Sequence, residues 1–377
     1  MRIRLTRFSW RSGSLALIAL CAFGGHADAQ RPGASYRVLK DCGRTARCFA
    51  TIQAAVDAAG SMRQGDWVSI EVGPGDFREK VVVTRGKMRL IGRGIARTRV
   101  HFDAVAEHAG TFDRDGWGTA GSATLIVDGD EVVVRDMTIE NDFDYLANDA
   151  LPDGDARKIG NSQGVAVQLD VHSDRVLFDR VALLGYQDTL FTRGNRALIR
   201  HATIAGNVDF IFGSGTLLIE ESEIRSRRRA VATAPGDYAS FVAAPSTPLS
   251  RPVGIVFSRS RLTREAGVAD GSVALARPWH PTTRFPDGRY ADPNAVGQAA
   301  LIDCFLDAHI HPSHWTSMAG TARDGTKTQI FRPEDSRFSE SGSYGPGAGT
   351  VAANRTRIDP ALIVETRAAI LSSDQGR

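Results

Sequence analysis

RVLFDRVALLG, at residues 175–185, has the same order of apolar and polar residues as RALIRHATIAG (196–206) and TLLIEESEIRS (216–226). Each stretch contains a short run of β-branched or leucine residues, a polar kink and a second short apolar run, a pattern typical of two strands joined by a bend. The aligned apolar runs begin 21 and 20 residues apart, at Val176, Ala197 and Leu217. A repeat of this period without helices predicts a solenoid.

The repeat continues on both sides of these three stretches. VVVRDMTIEN (132–141) lies two periods earlier, and IVFSRSRL (255–262) and ALIDCFLD (300–307) follow at irregular distances. The Leu/Asn consensus of leucine-rich repeats is missing, and helical periodicity is scarce. We therefore predict an all-β chain with a single-domain right-handed parallel β-helix, in which each coil adds one rung to stacked parallel sheets.

Two helical segments are expected at the ends of the solenoid. TIQAAVDAA (51–59) is amphipathic and predicts an N-terminal cap helix, because an open solenoid end exposes unpaired strand edges. PALIVETRAAI (360–370) predicts a helix that packs on the outside of the coils. No low-complexity linker divides the chain, so we assign residues 30–377 to one domain.

The first 29 residues have the organisation of a signal peptide. MRIRLTRFSWR (1–11) is basic, SLALIALCAF (14–23) is apolar, and small residues lead to a cleavage site near Ala29. The apolar stretch is too short to span a bilayer. We therefore expect an exported protein, periplasmic or secreted, without a membrane anchor after cleavage.

Charge and cysteine content narrow the function further. The chain has 46 Lys+Arg and 43 Asp+Glu, and the leader's four arginines and one aspartate account for the excess, which leaves no reason to expect nucleic-acid binding. The arginines of residues 225–229 are interpreted as a solvated coil edge. Cys42 and Cys48 could close a small loop in an oxidising compartment, and Cys304 is expected to be a buried free thiol. Because His and Cys residues are not clustered, we expect no metal or cofactor. A monomer is expected for a capped solenoid.

Stacking converts the repeat period into proximity. Asp188 and Asp209 are 21 residues apart, one coil, and neighbouring strands of a ladder are about 4.8 Å apart. Gln187 adjoins Asp188, and Gln163 lies one coil before Gln187. A structural polar ladder is the alternative, but two adjacent carboxylates would repel each other without a structural gain. A functional site on three consecutive rungs is therefore favoured.

These segments also resemble a known family, the pectin methylesterases, which are carbohydrate esterases with a parallel β-helix fold. The resemblance extends from about residue 37 to about residue 347, and the stretch RPWHPTTRFPDGRYADPNAVGQ (277–298) resembles the bacterial branch in particular. The motifs that carry it are GYQDTLF (185–191), GNVDFIFG (206–213), LARPW (275–279), QGVAV (163–167) and GDFRE (75–79). It implies hydrolysis of galacturonate methyl esters in pectin, a polysaccharide substrate.

The resemblance also implies a role for each site residue. Asp209 would be the nucleophile, Asp188 the general acid and then the general base, and Arg277 the group that orients Asp209. Gln187 and Gln163 would donate hydrogen bonds to the oxyanion. Trp279 is the expected sugar-stacking residue, and the other expected substrate contacts are Thr119, Val208, Phe212, Phe191, Phe241, Ala244, Thr282 and Met318.

The stretch GNVDFIFGSG (206–215) leaves one question open and suggests one interpretation. Strict alternation along a strand would place Asp209 and Phe212 on opposite faces, so one of them must lie at a bend. The glycines that flank GNVDFIFGSG are interpreted as room for the approaching substrate.

Several residues depart from the family pattern. Phe77 and Phe191 stand where tyrosine is frequent, Gly164 where alanine is usual, and Ala276 where glycine is usual. Ala276 could shift Arg277 if the family glycine has a positive φ.

Other functions remain compatible with the predicted fold. A β-helix pectate lyase or polygalacturonase would use clustered carboxylates for calcium, or two carboxylates across a glycosidic bond. A non-catalytic carbohydrate-binding β-helix would need neither Arg277 nor the two aspartates together.

Overall fold

The fold is a right-handed parallel β-helix with few helices, as predicted. It is described in a computed structural model for residues 34–43, 45–63, 65–111, 118–234, 236–349 and 358–372. The predicted signal peptide lies outside these residues. Three parallel sheets, which we call A, B and C, run along the described part of the chain.

Each sheet stacks one strand per coil. In spatial order, sheet A contains Cys48–Phe49, Ala34–Val38, Val68–Val72, Met88–Ile91, Val132–Arg135, Val176–Asp179, Arg196–Arg200, Thr216–Glu220, Ile255–Ser258, Gln298–Ile302 and Arg337–Ser341. Sheet B contains Gly75–Arg78, Thr98–Phe102, Thr138–Asn141, Ala182–Leu184, Thr203–Gly206, Glu223–Ser226, Arg261–Arg264 and Phe305–Leu306. Sheet C contains Val81–Val83, Leu125–Val127, Val167–Leu169, Leu190–Thr192, Val208–Gly213, Ser240–Pro245 and Val273–Ala276.

The register of sheet A confirms the alignment that the repeat predicts. Val176 pairs with Ala197, and Ala197 pairs with Leu217. The stretch 132–141 lies one coil before residues 175–185, although two sequence periods separate them. Its strand Val132–Arg135 pairs directly with Val176–Asp179. Two sequence periods hold only one coil there, since the residues after Asn141 leave the solenoid as a loop that contains the short helix Tyr145–Asp149.

The bend between sheets A and B has the same backbone conformation in successive coils. One residue after the paired ends of the sheet A strands, six non-glycine residues have φ between 48° and 57°: Asp136, Arg180, His201, Glu221, Arg259 and Asp303. Left-handed conformations are costly for such residues, so the stacked coils must compensate for them. Ion pairs across neighbouring coils, such as Arg180 Nε to Asp136 Oδ1 at 2.8 Å, join these corners.

Apolar side chains from all three sheets fill the interior of the coil. Phe178, Phe210 and Phe257 are among its largest fully buried members. Cys304 is also buried there as a free thiol, as predicted, and burial raises its pKa to about 11.

The predicted N-terminal helix is present as Ile52–Gly60, and its start is well capped. Thr51 accepts a hydrogen bond from the Ala54 N–H, and the Glu79 carboxylate accepts from Ile52 and Gln53 at 2.9 and 3.0 Å. Glu79 of the GDFRE motif therefore has a structural role. Beside this helix, Cys42 and Cys48 form a disulfide.

The C-terminal helix Pro360–Ser372 packs on the outer face of sheet A, as predicted for residues 360–370. Its Ile370 packs against apolar side chains of that face, including Leu177 and Leu198. Arg367 Nε lies 2.9 Å from the Glu220 carboxylate.

Several elements lie outside the three parallel sheets. Two are antiparallel hairpins, Thr282–Phe285 with Gly288–Ala291 and Met318–Gly320 with Gln329–Phe331. The remaining short elements are the helix Gly118–Gly121 and the 3-10 turns Ala106–Thr111 and Pro333–Asp335. Ala120 of the short helix and Trp279, which precedes the first hairpin, pack on the outer face of sheet C, which we call the floor of the cleft.

Candidate active site

Asp209 lies at the bend of its strand, which answers the question of alternation. Its φ is 50°, and the register of Val208–Gly213 against the next strand shifts between Val208 and Ile211. After this bulge, Phe210 and Ile211 both point into the core, and Phe212 joins the outer cluster. Asp209 and Phe212 therefore share the outer face of sheet C.

The glycines that flank this strand make close contacts within the protein, contrary to the expectation that they leave room for substrate. A Cβ atom on Gly206 would lie 2.3 Å from Phe210 Cβ and 2.6 Å from the Tyr186 carbonyl oxygen. Gly213 has a φ of 117°, and a Cβ there would lie 1.9 Å from the Thr192 carbonyl oxygen. Their small size is needed for the close packing of adjacent coils.

Asp188 occupies the rung next to Asp209, as the 21-residue spacing predicts. Leu190 pairs with Ile211, and the Asp188 N–H donates to the Val208 carbonyl oxygen at 3.0 Å. Asp188 also has a positive φ, 66°. Burial, and then the charge of Asp209, raise the pKa of Asp188 well above its ordinary value of 3.8, and Arg277 offsets part of this effect.

Arg277 holds the Asp209 carboxylate with two hydrogen bonds. Its Nε lies 2.7 Å from Oδ1 and its Nη2 lies 2.6 Å from Oδ2, a bidentate arrangement. The guanidinium carbon also lies 3.6 Å from the centre of the Phe241 ring. Ala276, where the family usually has glycine, is in regular strand and is absent from the positive-φ residues, so it leaves Arg277 undisturbed.

The two glutamines are on adjacent coils, beside the aspartates. The Gly164 N–H donates to the Gln187 carbonyl oxygen at 3.1 Å, which brings Gln163 next to Gln187. The Oε1 atom of Gln163 is buried without a hydrogen-bond partner among the described residues. The departure at Gly164 has a local cause, since a Cβ there would lie 2.6 Å from the Asn141 Oδ1.

Aromatic side chains cover the floor of the cleft beyond the aspartates. Phe191 and Phe212 are paired across neighbouring strands and stack with ring centres 4.2 Å apart and an interplanar angle of 7°. Trp279 approaches Phe212 at 5.6 Å and Phe191 at 6.2 Å. Ala244 belongs to the same cluster, and Thr119 precedes its member Ala120. Phe191 thus packs in the floor without the hydroxyl of a tyrosine.

The remaining predicted contacts lie around this floor. Val208 pairs with Phe241 at the start of the strands. Thr282 and Met318 each begin one of the two hairpins, and the Thr282 hydroxyl lies 2.7 Å from that of Thr321, just beyond the second hairpin's first strand. The expected residues therefore belong to sheet C or to the excursions that precede and follow its strands.

The prediction of a solvated edge for the arginines of 225–229 is wrong for two of them. Arg229 makes two hydrogen bonds to Asp149, at 3.0 and 2.5 Å. Arg227 lies 3.7 Å from the centre of the Tyr186 ring. The loop that contains Arg227 and Arg229 therefore packs against the turn that leads to Gln187 and Asp188.

The aromatic residue at the centre of that contact is Tyr145, which sequence reasoning missed. Its ring stacks on Tyr186 with centres 5.0 Å apart, and burial raises its pKa to about 12. Tyr145 lies in the loop outside the repeat, so periodicity carries no signal for it.

The described residues include no group of three or more His, Cys, Asp or Glu side chains arranged to hold a metal ion. Within the same part of the chain, no helix has the length and apolar character needed to cross a membrane. What the site does offer is a carboxylate oriented by a guanidinium, beside a second carboxyl group whose raised pKa favours the neutral form. Such a pair combines a nucleophile with an acid.

The sequence and the fold match those of known proteins. A family model described as pectinesterase matches residues 39–352. Pectinesterase A from Dickeya dadantii is 39% identical over 357 residues, 94% of each chain.

Solved structures agree with this match. The pectin methylesterase PemA from Erwinia chrysanthemi has a TM-score of 0.81 at 37% identity and covers 93% of this chain and 99% of its own. A pectin methylesterase in complex with a hexasaccharide has the same TM-score at 38% identity, over 92% of this chain and 99% of its own. With the family model spanning most of the sequence and curated relatives covering nearly its full length, this β-helix chain belongs to the pectinesterase family and is an enzyme of that class.

Proposed function

We propose that this pectin methylesterase works with Asp209 as nucleophile and Asp188 as general acid and base, and that it is exported. The observation that carries the assignment is the pairing of a guanidinium-held carboxylate with a buried carboxyl group one rung away. Arg277 holds the Asp209 carboxylate through two hydrogen bonds, while burial and the charge of Asp209 raise the pKa of Asp188 and favour its neutral form. A neutral Asp188 can therefore donate a proton while the Asp209 carboxylate attacks.

In the first half of the reaction, an oxygen of Asp209 attacks the carbonyl carbon of a galacturonate methyl ester. The tetrahedral intermediate collapses with cleavage of the carbon–oxygen bond to the methoxy group, which leaves as methanol after it takes the proton of Asp188. The product is an acyl-enzyme anhydride on Asp209, and Asp188 is now a carboxylate.

In the second half, Asp188 takes a proton from water, and the resulting hydroxide attacks the acyl carbon. The bond to Asp209 breaks, which releases the galacturonate carboxyl group and restores the Asp209 carboxylate and neutral Asp188. The side-chain amides of Gln187 and Gln163 would donate to the oxyanion of both tetrahedral intermediates.

A single incubation with highly methylated pectin separates the candidate reactions. An esterase releases methanol, a lyase leaves unsaturated ends, and a glycosidase leaves reducing ends. We expect methanol alone from the mature protein, and no release from Asp209→Asn. Turnover by Asp209→Asn would mean that another group is the nucleophile, and unsaturated or reducing ends without methanol would contradict the esterase.

Export has its own test, because the residues that carry the prediction lie outside the described part of the chain. Expression of the full chain in a Gram-negative host should yield a protein that begins after Ala29 outside the cytoplasm. A chain without residues 1–29 is the matched control and should stay in the cytoplasm. A full-length chain found uncleaved in the cytoplasm would contradict the export proposal.

A further inference from the structure

The outer face of sheet C continues past the active site toward the later coils. Val208 pairs with Phe241, and Phe241 pairs with Ala274. The next rung is short: Val273 bridges Ile310, and the His311 N–H donates to the Val273 carbonyl oxygen at 2.8 Å. His311 therefore follows Ala274 in the column that starts at Val208, two rungs or about 9.6 Å from Phe241.

Tyr238 fills the space between Phe241 and His311. Its ring centre lies 5.9 Å from that of Phe241 and 4.6 Å from that of His311. Its hydroxyl lies 2.7 Å from the Ser313 hydroxyl. Tyr238 and His311 are partly exposed, as are Phe241 and the guanidinium of Arg277 that covers it. A continuous aromatic strip, Phe241–Tyr238–His311, thus leads away from the nucleophile.

Local hydrogen bonds select the tautomer of His311. The Ser313 N–H donates to Nδ1 at 3.1 Å, so Nδ1 is the unprotonated nitrogen of the neutral ring. The proton is then on Nε2, for which the described residues provide no hydrogen-bond partner. The strip therefore ends in a fixed ring that carries an unused N–H donor.

We propose that Tyr238 and His311 form a distal subsite for a galacturonate unit of the bound pectin strand. Sugar units are recognised by an apolar ring surface combined with a few oriented polar groups, and this pair supplies both. The Tyr238 ring packs against the apolar face of the sugar, and the His311 Nε2–H donates to a hydroxyl or carboxylate oxygen. This inference rests on the proposed function, since it extends the same cleft.

The test compares a long substrate with a short one. The subsite lies two rungs beyond Phe241, so highly methylated polygalacturonan reaches it. A methylated trigalacturonate with one unit at the nucleophile and the other two on the side opposite the subsite does not reach it. We expect His311→Asn to raise the KM for the polymer about tenfold with unchanged kcat. For the trimer, kcat/KM should stay unchanged.

The variants are chosen to preserve the local structure. Asn at 311 keeps an acceptor for the Ser313 N–H, as in an Asx turn, but lacks the ring and its Nε2–H. Tyr238→Phe keeps the ring and loses the hydroxyl, so it should bind like the wild type, and Tyr238→Ala should resemble His311→Asn. His172→Ala is the matched control, because His172 is an exposed histidine on another part of the surface, paired with Asp128.

Equal losses on polymer and trimer, or no change on either, would overturn the subsite. Direct binding of a partly methylated hexagalacturonate by calorimetry separates this inference from the esterase mechanism. If the wild-type protein released no methanol but bound the hexamer, and His311→Asn weakened binding about tenfold, the subsite would stand and the mechanism would fall. Methanol release with hexamer affinity unchanged in His311→Asn would give the opposite result.

Discussion

Arg277 and Asp209 are 68 residues apart in sequence, yet their side chains are joined by two hydrogen bonds of 2.7 and 2.6 Å. The arginine comes from the end of one sheet C strand and the aspartate from a bulge two strands away. The planar fork of a guanidinium matches a carboxylate at both oxygens, so it fixes the rotation of the Asp209 carboxylate.

Replacement of this arginine by lysine tests the importance of orientation. Arg277→Lys keeps a positive charge but loses the second hydrogen bond, and a poorly oriented nucleophile reduces the rate about a hundredfold. We expect kcat to fall by about this factor with little change in KM, measured by methanol release. A kcat near that of the wild type would show that charge alone suffices.

The rate should fall at high pH, because Asp188 acts as an acid only when it is protonated. Burial and the charge of Asp209 raise the pKa of Asp188 well above 3.8, so the proton is retained into a higher pH range. A plot of kcat/KM against pH should show a basic limb at the apparent pKa of the aspartate pair. A rate that rises steadily up to the alkaline unfolding of the protein would contradict this assignment.

The same raised pKa makes a prediction for stability. A carboxyl group that holds its proton more tightly when folded destabilises the native state as the pH rises above its unfolded pKa. Asp188→Asn removes this effect, so the variant should be more stable than the wild type at neutral pH. Urea unfolding should show the difference shrinking toward about pH 4. A difference that is independent of pH would contradict the raised pKa.

The positive φ of Asp209 distinguishes two inactive variants. Asparagine adopts left-handed conformations more readily than alanine, for which they cost about 1 kcal/mol. We therefore expect Asp209→Ala to unfold at lower denaturant concentration than Asp209→Asn, with both inactive. Equal midpoints would indicate that the bulge relaxes when the carboxylate is removed.

Gly164 and Asn141 should be coupled in stability. A Cβ at 164 would lie 2.6 Å from Asn141 Oδ1, and Asn141 Nδ2 is held by the Ala104 carbonyl oxygen at 2.8 Å. Gly164→Ala should therefore cost about 1–3 kcal/mol of unfolding free energy. In an Asn141→Ala background the same change should cost much less, as a double-mutant cycle can measure. Additive losses would show that the clash is relieved elsewhere.

The sequence was sufficient for the coils because buried rungs appear as short apolar runs at a constant step. Val176, Ala197 and Leu217 align by their spacing alone, and this alignment also brings Asp188 and Asp209 together. The same periodicity overcounted the coils before residue 175, because residues that leave the solenoid between Asn141 and Val167 occupy sequence but add no rung.

The parts of the site that lie outside the repeat could not be predicted from spacing. Arg277 follows coils of irregular length, so only its resemblance to a family motif pointed to Asp209. Tyr145 and His311 belong to an excursion and to a shortened rung, where neither periodicity nor motif identifies a neighbour. Alternation along the strand required a bend at either Asp209 or Phe212. Only the backbone φ and the strand register show that the bend is at Asp209.

The excursions are attached to sheet C without interrupting its order of paired strands. Changes to the excursions and changes to the coils should therefore have different effects on the enzyme. The proposed catalytic aspartates lie on adjacent coils at sheet C, so their spacing is set by one coil, whereas the loop after Asn141 and the two hairpins are attached to the sheet from outside. A loop grafted from a relative could therefore change the length or methylation pattern of the preferred polymer while the spacing of Asp188 and Asp209 stays constant. Insertion of one residue between these aspartates would have the opposite effect, because it would turn one of them into the core.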